Sequence, residues 1–166
     1  MRLLFLSLAL FSCSEVEKEE EKVYPDIDLY DFSAAAPWYE CLDLNIPEEA
    51  KVRTVFEYSD QYFGSENLRD ITGEVDFPET GDWSQVGLLF YLSCPESGLC
   101  DHWDRSASLQ MLVDPESESP TSIEVLRYIT PYRTEMCAYV DVTHMASLFK
   151  GKKTFSSWID TWVGPG

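Results

Sequence analysis

The sequence predicts an all-β protein, an antiparallel β-sandwich of the jelly-roll type. Beyond Lys51 the apolar residues recur mostly with a period of two, in runs of strand length. Pro, Gly and Asp punctuate these runs at the places where turns belong. No long-range cysteine pair flanks a strand tryptophan as in an immunoglobulin core, which favours the jelly roll among sandwiches.

Taken in order, Val52 to Tyr58 alternates, and Ile71 to Phe77 alternates until Pro78 stops it. Gln85 to Leu92 is almost unbroken apolar sequence, the pattern of a strand covered on both faces. Ser106 to Val113 and Ser122 to Thr130 flank the turn-rich Asp114 to Pro120, so they read as a hairpin with a long loop. Pro131 ends that strand and Ala138 to Val142 begins another. Thr143 is placed to cap a short helix carrying Met145, Leu148 and Phe149, with Gly151 as its stop. The last strand runs from Thr154 to Val163. Phe155, Ser157, Ile159, Thr161 and Val163 share its core face, and Thr154, Ser156, Trp158, Asp160 and Trp162 share the other. That second face sets a carboxylate between two indoles, as a carbohydrate or peptide cleft requires. The plainer alternative is a surface Asp160 beside partly exposed tryptophans.

With 166 residues, 45% of them apolar, the chain can bury one core. A net charge of −18 argues against nucleic acid and anionic membrane surfaces as partners, because phosphates would be repelled. Met1-Arg2, the apolar run Leu3 to Phe11 and Ser12-Cys13 have the form of an export signal too short to span a bilayer. Leu10-Phe11-Ser12-Cys13 is similar to a bacterial lipobox, with Cys13 as the lipid-modified first mature residue; the alternative is a plain signal with an incidental cysteine. The expected organisation is a lipoprotein signal over 1–12, an acidic tether and extended segment over 13–50, and the sandwich over 51–166. Five glutamates with two lysines over 14–22 give the tether nothing to dock. The expected location is the cell envelope, at the outer membrane, with the lipid anchor as the only membrane contact.

Lipidation of Cys13 leaves four cysteines in an oxidising compartment. Counting permits three pairings. Locality selects Cys94 with Cys100, leaving Cys41 with Cys137. A Cys94–Cys100 bridge closes a tight loop and serves local geometry more than chain entropy. It is followed at once by Asp101-His102-Trp103-Asp104-Arg105, a candidate platform for Asp104. The plainer alternative is a stapled turn with a solvated Asp104–Arg105 pair.

Cys94-Pro95, Cys100-Asp101-His102-Trp103-Asp104-Arg105, Arg127-Tyr128-Ile129-Thr130-Pro131-Tyr132, Asp141-Val142-Thr143 and Asp160-Thr161-Trp162 together resemble the N-terminal domain of the bacterial peptide-N-glycosidase F family, in order and in spacing. Weaker similarity runs back through Gly73–Pro78 to Val52, so about two thirds of the chain is covered. The resemblance implies two jelly rolls side by side and hydrolysis of the amide that joins an N-glycan to asparagine, without metal or other cofactor. It implies that Asp104 matches the essential aspartate serving the attacking water and the amide nitrogen. An amide leaving group needs a proton and water needs a base, and a carboxylate in a dry, tryptophan-walled site suits both. Asp160 stands where the family carries a supporting glutamate, one methylene longer. Arg105 is then a residue that orients the carboxylate or the sugar, Trp158 and Trp162 line the substrate, and Trp103 packs the loop. The partner is an N-linked glycoprotein or glycopeptide.

Two departures stand out. The cysteine loop is one residue longer than the family's usual loop. The family's other catalytic glutamate lies in a second jelly roll, beyond the residues of this chain, and the first jelly roll is itself expected to lack its last strand. The chain therefore reads as the front part of such an amidase. One alternative is a lipid-anchored binding module without catalysis. Another is a copper monooxygenase-like domain, for which His102 and His144 are too few soft or imidazole ligands.

Overall fold

A computed structural model describes residues 2–12, 38–39, 46–79, 83–95 and 100–164. Nine strands and one short helix are described: β1 (Arg2–Ser12), β2 (Trp38–Tyr39), β3 (Lys51–Asp60), β4 (Asp70–Phe77), β5 (Trp83–Ser93), β6 (Ser106–Leu112), β7 (Ser122–Ile129), β8 (Met136–Asp141), a 3-10 helix (Thr143–Leu148) and β9 (Gly151–Ile159). They form two sheets, one ordered β2-β8-β5-β1-β3 and the other β4-β9-β6-β7. Pairing is antiparallel throughout except for the short β2–β8 pair. This is the expected all-β, jelly-roll-like sandwich.

The core lies between the sheets because strand alternation turns one set of side chains inward. Val86, Leu88, Phe90 and Leu92 of β5 face Leu109 and Met111 of β6, Val75 and Phe77 of β4, and Phe155 of β9. Phe77 meets Phe149 edge-on at 5.5 Å and Phe155 at 6.3 Å, tying the turn after the 3-10 helix into the core. The β6–β7 hairpin forms as expected. Its loop is closed by Asp114, whose Oδ1 accepts from both the backbone N–H and the hydroxyl of Thr121, at 2.5 and 2.8 Å.

Two elements differ from expectation. The helix after β8 is a 3-10 turn, and Thr143 does not cap it. The Thr143 hydroxyl accepts the backbone N–H of Val86 at 2.9 Å instead, while Asp141 Oδ1 accepts the Thr143 N–H at 2.8 Å. The last strand stops at Ile159 rather than Val163. The regular ladders with β4 and β6 end there, at the pairs Asp70 with Trp158 and Ala107 with Ile159, and beyond them only single backbone contacts continue, Asp160 N–H to the Ser106 carbonyl and Phe63 N–H to the Val163 carbonyl, each at 2.9 Å. Arg2–Ser12, the stretch read as a leader, is placed as β1 between β5 and β3. Of the extended segment, Trp38–Tyr39 pairs with Met136 and Cys137, while Cys13, the acidic tether and Cys41 lie outside the described residues.

Candidate functional site

The Cys94–Cys100 disulfide forms as expected, with a Cα–Cα distance of 4.6 Å. Cys137 is also disulfide-bonded, and its partner lies outside the described residues. Downstream of Cys100 the chain is clasped to the segment after β7. The Arg133 N–H donates to the Asp101 carbonyl at 2.9 Å, and the Thr130 N–H to the Arg105 carbonyl at 2.8 Å. The Arg105 N–H donates in return to the Thr130 hydroxyl at 2.9 Å. Thr130 is buried, so these exchanges take place away from competing water. Arg133 adopts a left-handed φ of 57°, which turns the chain sharply at this contact.

Asp104 is exposed at the tip of this clasped loop and makes no hydrogen bond or ion pair among the described residues. Arg105 is turned from Asp104 toward Asp101. Its Nε lies 3.0 Å from Asp101 Oδ2 and its Nη2 3.5 Å from Oδ1, a largely buried pair. Neighbours in an extended stretch project to opposite sides, whereas Asp101 sits where the loop returns to face Arg105. Asp101 is thus the partner of Arg105 that adjacency in sequence concealed. Trp103, expected to pack the loop, is 63% exposed; its backbone N–H is held by Asp101 Oδ1 at 3.2 Å.

Asp160 arrives from β9. Its backbone N–H donates to the Ser106 carbonyl at 2.9 Å, so it sits at the end of the sheet from which Asp104 projects two residues before Ser106. The Asp160 carboxylate accepts the indole N–H of Trp162 at 3.1 Å. Trp162 is 60% exposed yet fixed: the Arg69 guanidinium carbon lies 4.3 Å from its ring centroid and Phe63 meets it edge-on at 5.0 Å. Arg69 also stands 4.7 Å from the Phe63 centroid, so the cation lies over both aromatic rings. The Arg69 carbonyl accepts from Ile159 N–H at 2.9 Å and from Gln61 Nε2 at 3.0 Å. Gln61, buried, also donates to the Ser157 carbonyl at 2.9 Å and accepts the Ser157 hydroxyl at 3.0 Å. Arg69, Phe63 and Gln61 come from the β3–β4 connection and carried no motif in the sequence. Trp158 is half-buried in β9, opposite in face to the buried Ile159, as the alternation predicts.

One end of the sandwich therefore gathers Asp104, Asp101–Arg105, Asp160 and Trp162. A cleft of about 370 Å³ lies at the opposite end, bordered by Leu112, Val113, Ile123 and Lys152, and touches none of these residues. Among the described residues no group of three or more His, Cys, Asp or Glu is positioned to hold a metal ion. His102 and His144 sit on separate elements, one before β6 and the other in the 3-10 helix. No described helix is long and apolar enough to cross a membrane.

The fold and this end define a jelly-roll-like sandwich that carries carboxylates and a stacked indole where strands emerge from one sheet. The chain has a PNGase F-like fold. It resembles PNGase F, a glycosylasparaginase from Flavobacterium meningosepticum, with 25% identity and a TM-score of 0.55 over 67% of this chain and 36% of that one. A structure of peptide-N(4)-(N-acetyl-β-D-glucosaminyl) asparagine amidase gives 25% identity and 0.52 over 65% and 36%. Recombinant peptide:N-glycanase F gives 24% and 0.53 over 65% and 35%, a likeness of fold. The chain thus spans about a third of the length of these proteins. No protein-family model and no curated sequence matches the chain.

Proposed function

We propose that this chain supplies the first jelly roll of an amidase that hydrolyses the bond between an N-glycan and asparagine. The observation that supports the reading most is the meeting of two strand ends. Asp160 hydrogen-bonds to Ser106, beside the loop that presents Asp104, in a fold like that of a glycosylasparaginase. Asp104, exposed and without a competing partner among the described residues, is available to the water and to the amide nitrogen. Asp160, anchored by the Trp162 indole, adds negative charge near by, and Trp162 offers a flat apolar face to a sugar. Arg105, held by Asp101, stiffens the loop, which narrows its role to positioning. Trp158 is the remaining candidate for substrate contact.

The second carboxylate of the reaction belongs, in this proposal, to a second jelly roll packed against this end, which would also strip water from Asp104. The same proposal includes export by the Met1–Ser12 leader and anchoring of the mature chain at the envelope through Cys13. The test is incubation with an N-glycopeptide, alone and with a second jelly roll from a PNGase F-like enzyme, read by mass spectrometry as conversion of the glycosylated Asn to Asp. Conversion in the combined sample that disappears in Asp104→Asn supports the proposal, and conversion indifferent to Asp104→Asn overturns it. Glycan binding without hydrolysis is the second reading, favoured by the exposure of Asp104.

A further inference from the structure

The cleft of about 370 Å³ at the end opposite Asp104 has no part in the amidase proposal. Its volume falls at the low end of the roughly 300–1,000 Å³ that small-molecule sites occupy. Leu112 of β6 and Thr154 of β9, paired across the sheet, both border it.

The walls on either side are fixed without a ligand. On one side, Asp114 Oδ1 accepts from the N–H and the hydroxyl of Thr121, and the Val113 N–H donates to the Thr121 carbonyl at 2.9 Å, which holds the β6–β7 loop shut. On the other side, Leu148 and Lys150 flank Phe149, a fully buried ring packed edge-on against Phe77. The Phe149 N–H donates to the Ala146 carbonyl at 3.2 Å and the Lys150 N–H to the Leu148 carbonyl at 3.0 Å. A cleft shaped in advance spares its ligand much of the ordering cost of binding.

Part of the lining is apolar and reached by water. Leu112, Ile123 and Leu148 are half-buried, and Val113 is 60% exposed. An apolar body laid across them removes this surface from solvent. Charge then selects the occupant. Lys150, Lys152 and Lys153 also border the cleft, three of the chain's 12 Lys and Arg within four positions, in a sequence with 30 Asp and Glu. Glu74 and Glu116 are the acidic groups of the lining, so three ammonium groups against two carboxylates leave one positive charge over. Lys152 Nζ is committed to Glu74 Oε2 at 2.8 Å. The ammonium groups of Lys150 and Lys153 have no ion pair among the described residues.

A single surplus charge fits a monoanion. A phosphate monoester carries about −1.5 to −2 at neutral pH, more than the lining offsets, and the net charge of −18 repels the excess. A neutral sugar would leave both free ammonium groups unmet and set polar hydroxyls on Val113 and Ile123.

We propose that this cleft binds a small amphipathic monocarboxylate, its apolar body on Leu112, Val113, Ile123 and Leu148 and its carboxylate at Lys150 and Lys153. The site is separate from the amidase end and stands whether or not that reading holds.

The test is a nuclear magnetic resonance titration of the isotope-labelled full chain with decanoate, kept below its micelle-forming concentration. Saturable shifts are expected at Val113, Ile123, Leu148 and residues 150–153, at one decanoate per chain, with none at Asp104, Arg105 or the Trp162 indole. Decanol keeps the apolar body and acetate keeps the carboxylate; each should bind roughly tenfold or more weakly than decanoate. Lys150→Gln combined with Lys153→Gln should weaken decanoate by a similar factor while the β6 and β9 amide resonances stay in place. Val113→Asp, at an exposed position, should do the same by setting a carboxylate on the apolar surface. Absence of saturable shifts at millimolar decanoate overturns the proposal. Decanol binding as tightly as decanoate, or a double lysine variant binding as tightly as the unaltered chain, overturns it equally.

Discussion

Thr130 and Arg105 hold each other twice, the N–H of Thr130 donating to the Arg105 carbonyl at 2.8 Å and the N–H of Arg105 to the Thr130 hydroxyl at 2.9 Å. Asp104 precedes this clasp by one residue, so its position is set by a contact to a different strand. Thr130→Val keeps the shape but deprives the Arg105 N–H of its acceptor. The expected cost is about 1–2 kcal/mol in urea unfolding, with faster hydrogen exchange at Arg105 and little change in β3.

Gln61 fastens the β3–β4 connection to β9 through three hydrogen bonds to Arg69 and Ser157, all within buried or half-buried surroundings. Truncation in Gln61→Ala leaves the Ser157 hydroxyl and carbonyl without these partners. A loss of roughly 2–4 kcal/mol is expected, measured by chemical denaturation.

Stacking of Arg69 on Trp162 at 4.3 Å orients the indole whose N–H reaches Asp160. Because Trp162 is well exposed, the stack is worth only about 0.5–1 kcal/mol. Arg69→Leu should therefore lower stability slightly while shifting the Trp162 indole N–H resonance toward a solvent-exchanging position. An indole resonance unchanged in shift and exchange would show that Asp160 and Phe63 suffice to hold the ring.

Tyr128 stacks on Phe90 with 5.0 Å between ring centroids, and burial pushes its phenol up to about 12, partly opposed by a hydrogen bond with Ser157. The fold thus favours the protonated phenol. This contribution is complete below the unfolded value near 10 and is lost as pH rises through about 12. Ionisation should cost at most about 2–3 kcal/mol across that window. Tyr128→Phe should flatten the alkaline fall in stability between those pH values, with Tyr139, also raised by burial, accounting for part of what remains.

Most strands were legible in the sequence because period-two alternation and proline punctuation are local signals. Val52–Tyr58 and Ile71–Phe77 fall inside β3 and β4 for this reason. The end of β9 was not, since alternation continues through Val163 while the regular ladder ends at Ile159 and gives way to single backbone contacts with Ser106 and Phe63. The candidate site divides in the same way. Asp104, Asp160 and Trp162 stand in motifs, and the Cys94–Cys100 bridge follows from spacing. Asp101 as the partner of Arg105, and Gln61 and Arg69 behind Trp162, depend on where the chain folds back and leave no local trace.

The most direct measurement of the central claim is a nuclear magnetic resonance titration of the chain with a short peptide bearing chitobiose on asparagine. The account predicts shifts concentrated at Asp104, Arg105, Asp160 and the Trp162 indole, weakened by Trp162→Ala, with none around Leu112 and Lys152 at the opposite end. Shifts confined to that opposite end, or none at millimolar glycopeptide, would contradict it.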